Sequence, residues 1–166
     1  MENHPANAVR DCIFCKIVAG EVPSHKIWQD EKHLAFLSIF PNTPGFTVVI
    51  PKEHYSSYAF EQDDKVLADL VLATKKVANI LTSFFDDTNR CGMFFEGFGV
   101  DHLHSKLFPM HGIGKGKEWR MMESGSFRQY FDKYPGYLCS NDSERADDDE
   151  LAELARKIRQ KSNPNL

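Results

Sequence analysis

The chain has 166 residues, 42% of them hydrophobic, with 20 basic against 24 acidic side chains and a formal net charge of -4. That suits one globular domain with a modest appendage, and the slight acidity argues against a surface that coats nucleic acid. No apolar run approaches the roughly 20 residues that span a bilayer, Met1 to Asp11 lacks the apolar stretch of a signal peptide, and four uneven cysteines do not make a secreted disulfide scaffold. A cytoplasmic protein without membrane or nucleic-acid partners is therefore expected.

Residues 1–11 read as a disordered lead-in. Asp11 to Gly20 opens on an acid and closes on glycine, which predicts a short helix capped by Asp11 and stopped at Gly20. Lys26–Gln29 and Leu34–Ile39 predict strands around the turn Asp30-Glu31-Lys32. A loop from Phe40 to Gly45 then leads to a buried strand over Phe46–Ile50, closed by Pro51. From Asp63 to Phe85 apolar residues return at helical spacing (Val66, Leu67, Leu70, Val71, Val77, Ile80, Leu81), the mark of one long helix. Cys91–Phe95 and Leu103–Phe108 predict two more strands, separated by the turn Glu96-Gly97-Phe98-Gly99. These elements lack βαβ alternation and add up to an α+β domain with an antiparallel sheet over residues 12–112. Residues 113–166 form an extension. It holds the basic Gly114-Lys115-Gly116-Lys117, an aromatic stretch from Phe127 to Tyr137, and a final helix over 147–160 whose acidic start and basic end suit the helix dipole.

The chemistry concentrates in His102-Leu103-His104-Ser105-Lys106. Strand alternation puts His102, His104 and Lys106 on one face. Two imidazoles and an ammonium so close compete for positive charge, a conflict that a metal on one imidazole and a phosphate near the other groups would relieve. His104 is the candidate nucleophile, since a neutral imidazole can attack phosphorus and split a displacement into two easier steps. Lys106 could stabilise charge on the non-bridging oxygens. Polar side chains beside a core strand are the plainer reading for any single histidine, but a poorer one for this trio. His111 reads as surface, His25 and His33 as solvated, and Phe94-Phe95 as core or pocket wall. Cys12-x-x-Cys15 has no preceding strand to suit a redox motif. It is either half of a closed zinc site, with His54 and His102 as further candidates, or two buried inert thiols.

Three blocks carry a resemblance to the histidine-triad family of nucleotide hydrolases and transferases: CIFCKIVAGEVPSHKIWQDEKHLAFLSIFPNTPGF from Cys12, TVVIPKEHY from Thr47, and HLHSKLFP from His102. The resemblance runs from about Cys12 to His111. It implies a five-stranded antiparallel sheet with one long helix, commonly paired as a homodimer. It implies attack by His104 on the α-phosphate of a nucleotide or nucleotide conjugate, giving a nucleotidyl-histidine intermediate. It also implies structural zinc on Cys12, Cys15, His54 and His102, and an apolar purine pocket of Phe14, Ile17, Phe36 and Ile39.

The departures are as informative. The third triad histidine is Lys106, although galactose-1-phosphate uridylyltransferase relatives also lack a histidine there. Ser38 stands where an acid usually holds the ribose hydroxyls, and Phe46 replaces a histidine. Phe95 replaces an asparagine, and Phe98 and Gly99 fall where a glutamine and a serine or threonine contact phosphate. In dimeric relatives the tail often reaches the partner's site, which brings Trp119, Arg120 and Arg128 into view. Three readings follow: a zinc-stabilised nucleotide hydrolase or transferase, a non-catalytic nucleotide-binding or interaction module, and a metal-dependent hydrolase with zinc on His54, His102 and His104.

Overall fold

The sheet begins at an aspartate. Asp30 Oδ1 accepts the backbone N–H groups of Lys32 at 2.9 Å and His33 at 2.7 Å, and the His33 ring nitrogen Nδ1 lies 3.1 Å away. This side-chain-to-backbone turn joins β1 (His25–Gln29) to β2 (His33–Leu37). With β3 (Thr47–Pro51), β4 (Cys91–Phe94) and β5 (Ser105–Pro109) they form an antiparallel sheet in the order β1-β2-β3-β5-β4. Among the described residues three α-helices accompany it: α1 (Ile13–Ala19), α2 (Asp64–Phe84) and α3 (Asp148–Ser162). This is the α+β fold expected from the sequence. The computed structural model describes residues 11–112 and 144–162. The expectations for residues 1–10, for Gly114 to Lys117, for Phe127 to Tyr137, and for Trp119, Arg120 and Arg128 lie outside those residues.

Alternation along the central strands divides the interior in two. Ala35, Leu37, Val49 and Leu107 face a core shared with Leu70, Val77 and Leu81 of α2 and with Leu151, Ala155 and Ile158 of α3. Leu34, Phe36, Val48 and Ile50 face the opposite way and pack with Cys12, Phe14 and Ile17. The sheet is thus buried on both faces, and the functional residues belong to the side covered by α1. Helix α3 is tied down by polar contacts as well. Asp147 Oδ1 caps it, accepting from Asp149 N at 2.9 Å and Glu150 N at 3.0 Å, while Lys161 Nζ donates to the Phe84 carbonyl at 2.9 Å.

Several boundaries differ from the sequence reading, each for a local reason. The N-cap of α1 is Cys12, with no side-chain cap bond, so Asp11 does not play that part. Gly20 does end the helix, in the left-handed conformation at φ 80°. His33 is buried against Asp30, not solvated. His111 is not plain surface: its ring bridges Asp87 at 3.0 Å and the Pro44 carbonyl at 2.9 Å. His25 Nε2 meets Asp148 Oδ1 at 3.0 Å and so pins α3 to β1. Strand β5 starts at Ser105, because the Leu103 N–H donates to the Tyr55 carbonyl at 2.8 Å.

One contact orients the start of β5. Thr74 Oγ1 in α2 donates to its own helix at Leu70 O (2.7 Å) and lies 2.6 Å from Ser105 Oγ, with both hydroxyls buried. Leu103, Ser105 and Leu107 therefore face α2, which leaves His104 and Lys106 to the opposite side. Replacing Thr74 with valine keeps the shape but orphans the Ser105 hydroxyl. The expected loss is about 1–3 kcal/mol of stability, read by urea unfolding; an unchanged midpoint would show that the pair does not hold the strand.

Candidate functional site

Four ligand-type atoms converge where α1, the segment after β3 and the approach to β5 meet. Cys12 Sγ lies 3.4 Å from His102 Nδ1, Cys15 Sγ lies 3.6 Å from the same nitrogen, and Cys15 Sγ lies 3.4 Å from His54 Nδ1. All four ligand atoms fall within 4.8 Å of one another. Tetrahedral ligands at about 2.3 Å for sulfur and 2.0–2.1 Å for nitrogen would sit roughly 3.3–3.8 Å apart, so the close contacts match a closed four-ligand site. The tautomer agrees. His102 Nε2 donates to the Pro51 carbonyl at 2.9 Å, so Nδ1 carries the lone pair that faces the sulfurs.

The neighbourhood fixes this geometry from several directions. Asp101 Oδ1 accepts the Ser57 N–H at 2.9 Å, which clamps the His54 segment to the His102 segment. Burial pushes the His102 imidazole down to about 4, and burial with the adjacent Cys12 pushes the Cys15 thiol up to about 11. Neither group carries charge comfortably here, which is the condition a bound divalent cation would reverse for the thiols.

His104 turns away from that cluster. Its Nδ1 donates to the His102 carbonyl at 2.6 Å, so Nε2 is the basic nitrogen. Burial holds its imidazole below the ordinary value, Lys106 adds to the effect, and the His102 carbonyl and Glu96 oppose it. Among the described residues the four ligand-type side chains that converge are Cys12, Cys15, His54 and His102, the expected set, and His104 is not one of them, which sets aside the alternative of a catalytic metal on His54, His102 and His104. The ring of Phe14 stands between the two histidines. It meets His102 at 5.7 Å and His104 at 5.5 Å, both edge-on.

His104 and Lys106 open onto a largely apolar cavity of about 510 Å³. Phe14, Ile17, Phe36, Ser38, Ile39, Phe98 and Gly99 all line it. Phe95 does not: it packs against the core on the α2 side of the sheet. Ser38 offers no carboxylate, and its Oγ already accepts the Phe40 N–H at 3.1 Å. A second cleft of about 920 Å³, lined by charges of both signs between Glu31 and Asp69, holds none of these residues.

Two participants escape the sequence reading. Ser24 Oγ borders the cavity, buried and without a partner. Glu96, assigned only to a turn, buries its side chain and accepts a hydrogen bond from the Lys106 ammonium through Oε1, while Oε2 is buried with no donor. The signal was available in the hairpin register. Phe94 pairs with Lys106, and Glu96 is the next residue on the same face. The charge conflict inferred for this face is thus answered within the protein, by neutral imidazoles and a buried carboxylate. Lys106 also lies 5.9 Å from the centre of the Phe94 ring.

Breaking such a pair from one side strands the other charge. Lys106→Met is expected to cost about 3–5 kcal/mol in denaturant unfolding, with much of it recovered by adding Glu96→Gln. Equal losses in the single and double variants would contradict a charge pair.

Comparison with known proteins places these residues in context. The model of the HIT domain matches residues 19–115. The Bacillus subtilis protein named Protein hit is 36% identical over 114 residues, covering 66% of this chain and 78% of its own. The adenosine 5'-monophosphoramidase of Schizosaccharomyces pombe is 36% identical over 110 residues, 63% of this chain and 81% of its own. A zinc-bound histidine-triad family protein from Mycobacterium smegmatis superimposes with a TM-score of 0.60 at 26% identity, over 92% of this chain and 94% of its own.

Proposed function

This chain belongs to the HIT family, and on that footing we propose that it is a nucleotide hydrolase or nucleotidyl transferase that works through a nucleotidyl-histidine intermediate. The observation that carries the reading is His104: a buried imidazole with Nδ1 tied to a carbonyl and its lone pair on Nε2, lining a cavity beside an ammonium. An apolar wall of Phe14, Ile17, Phe36 and Ile39 suits the flat face of a base.

The reaction runs in two displacements. The Nε2 lone pair attacks the α-phosphorus, a P–N bond forms, and the bond to the leaving group breaks with its electron pair going to that group, which takes a proton from solvent. Water, or another acceptor hydroxyl, then attacks the same phosphorus and gives up its proton. The P–N bond breaks, and the pair returns to Nε2. Lys106 stands next to the developing charge on the non-bridging oxygens. The low proton affinity imposed by burial keeps His104 in its nucleophilic form.

Cys12, Cys15, His54 and His102 would hold zinc as a structural ion, leaving no open position for substrate. Bound there, zinc would supply no chemistry to the displacement; it would join α1 to the segments around Pro51 and His102. Phe14 is the link from that joint to the reactive histidine, through its edge contacts with both rings. A homodimer in the cytosol accords with the same reading. Among the described residues β4 is an edge strand of the sheet, with Met93 exposed on it. No helix among the described residues is long and apolar enough to cross a membrane.

Intact mass after brief incubation with nucleoside phosphoramidates, dinucleoside polyphosphates and sugar nucleotides tests the chemistry. Wild type should gain a nucleotidyl mass or release product, and His104→Ala should do neither, with turnover down by more than about a thousandfold. No adduct and no product from any compound would favour the binding-module reading. Native mass spectrometry of the purified protein tests the scaffold: two 19.0 kDa chains, each with one zinc, are expected. A metal-free species with unchanged melting would remove the structural ion from the account.

A further inference from the structure

Among the described residues, Lys106 and Glu96 form an ion pair with both side chains buried, 7% and 3% exposed. Lys106 lines the cavity, whereas Glu96 does not and reaches the site through the Lys106 ammonium. Apart from that ammonium, the described lining has the imidazole of His104 and the hydroxyls of Ser24 and Ser38 as its polar side chains. A full positive charge at the reactive wall would draw in any polyanion. Here a carboxylate offsets it before substrate arrives.

Resting on the nucleotide reading, we propose that Glu96 is a specificity-determining residue: by holding the Lys106 ammonium in a buried pair, it leaves the reactive wall close to charge-neutral and selects a singly charged phosphoryl group over a polyphosphate chain. Three observations support this. The Glu96 Oε2 has no donor, so the carboxylate's charge is directed onto Lys106 and is not shared with a backbone amide. Among the described residues the rest of the wall is mainly aromatic and aliphatic, so there each further negative charge on a ligand would be desolvated with Lys106 as the cation to meet it. Glu96 follows the last β4 residue, Phe94, by two positions, and Phe94 is the register partner of Lys106, so the end of β4 brings the carboxylate to the side that Lys106 faces. A ligand with one ionised phosphoryl oxygen can share the ammonium with Glu96. A chain of three or four charges cannot be balanced that way.

The test compares wild type, Glu96→Gln and Glu96→Asp, as full chains, on adenosine 5'-phosphoramidate, diadenosine triphosphate and diadenosine tetraphosphate. Wild type should lose kcat/KM as charge is added. Glu96→Gln should raise the polyphosphate-to-phosphoramidate ratio by about tenfold, mainly through KM, because the Glu96 charge no longer opposes the ammonium. Glu96→Asp, which keeps the charge, should hold the wild-type order. A uniform loss on all three compounds would make Glu96 a structural prop and overturn the proposal, as would an unchanged ratio. Dissociation constants for the same compounds, from calorimetry, separate this from the catalytic reading. If wild type turns nothing over, the hydrolase reading fails, while the ratio of Kd values still decides the role of Glu96. The double variant Glu96→Gln/Lys106→Gln removes both charges and should return the Kd ratio toward wild type. A ratio that stays raised would show that Glu96 does not act through Lys106.

Discussion

The 2.6 Å contact between Thr74 and Ser105 hydroxyls decides which way the reactive segment faces. Side chains alternate along an extended chain, so orienting one residue orients its neighbours. With Ser105 held against α2, Leu103 and Leu107 join the larger core, while His104 and Lys106 are delivered to the cavity. A slip of one residue would exchange the two sets, placing an imidazole and an ammonium in the aliphatic core and leucines at the cavity. The Leu103 N–H to Tyr55 carbonyl bond and the β3–β5 pairing guard against that slip from both sides.

Given that orientation, the site becomes a problem in keeping polar groups buried at tolerable free energy. The solutions are local and differ from group to group. His102 and His104 each donate from one nitrogen to a backbone carbonyl, which also fixes the tautomer: His102 through Nε2 to Pro51, and His104 through Nδ1 to His102. The two rings therefore present different nitrogens to their surroundings, His102 its Nδ1 toward sulfur and His104 its Nε2 as the nitrogen not tied to a carbonyl. Lys106 is matched by Glu96. The whole arrangement is dry enough that charge, where it exists, has to be paired.

Much of this was legible in the residues. The long helix showed in the spacing of Leu70, Val77 and Leu81, and the sheet in short β-branched and aromatic runs between turn residues. The Cys12-x-x-Cys15 spacing offered two thiols that read equally as ligands or as inert cysteines, with His54 and His102 as further candidates, and the family resemblance joined the four into one set. What was not legible depended on partners distant in sequence. His33 looked solvated because Asp30 reads as a turn residue, and only the folded turn shows the carboxylate wrapping back onto it. Phe95 looked like pocket wall because its position, not its face, drew notice; the parity that sends Phe94 and Glu96 one way sends Phe95 the other. Glu96 was missed for the same reason. An acid in a glycine-flanked turn has an ordinary explanation, and its burial follows only from the pairing of β4 with β5.

The division of the interior by the sheet has an evolutionary consequence. The core with α2 and α3 holds most of the long aliphatic side chains, and the smaller one beneath α1 holds the cavity and the ligand-type cluster. Substitutions on the α1 side reshape the cavity while leaving the larger core's packing untouched, so residues such as Ser38 and Phe98 can drift without drawing on the same stability margin. A lineage could therefore retune what the cavity accepts by many small steps, each tolerated by a fold whose main support lies across the sheet. Lys106 and Glu96 do not share that freedom: neither can change first without stranding the other's buried charge.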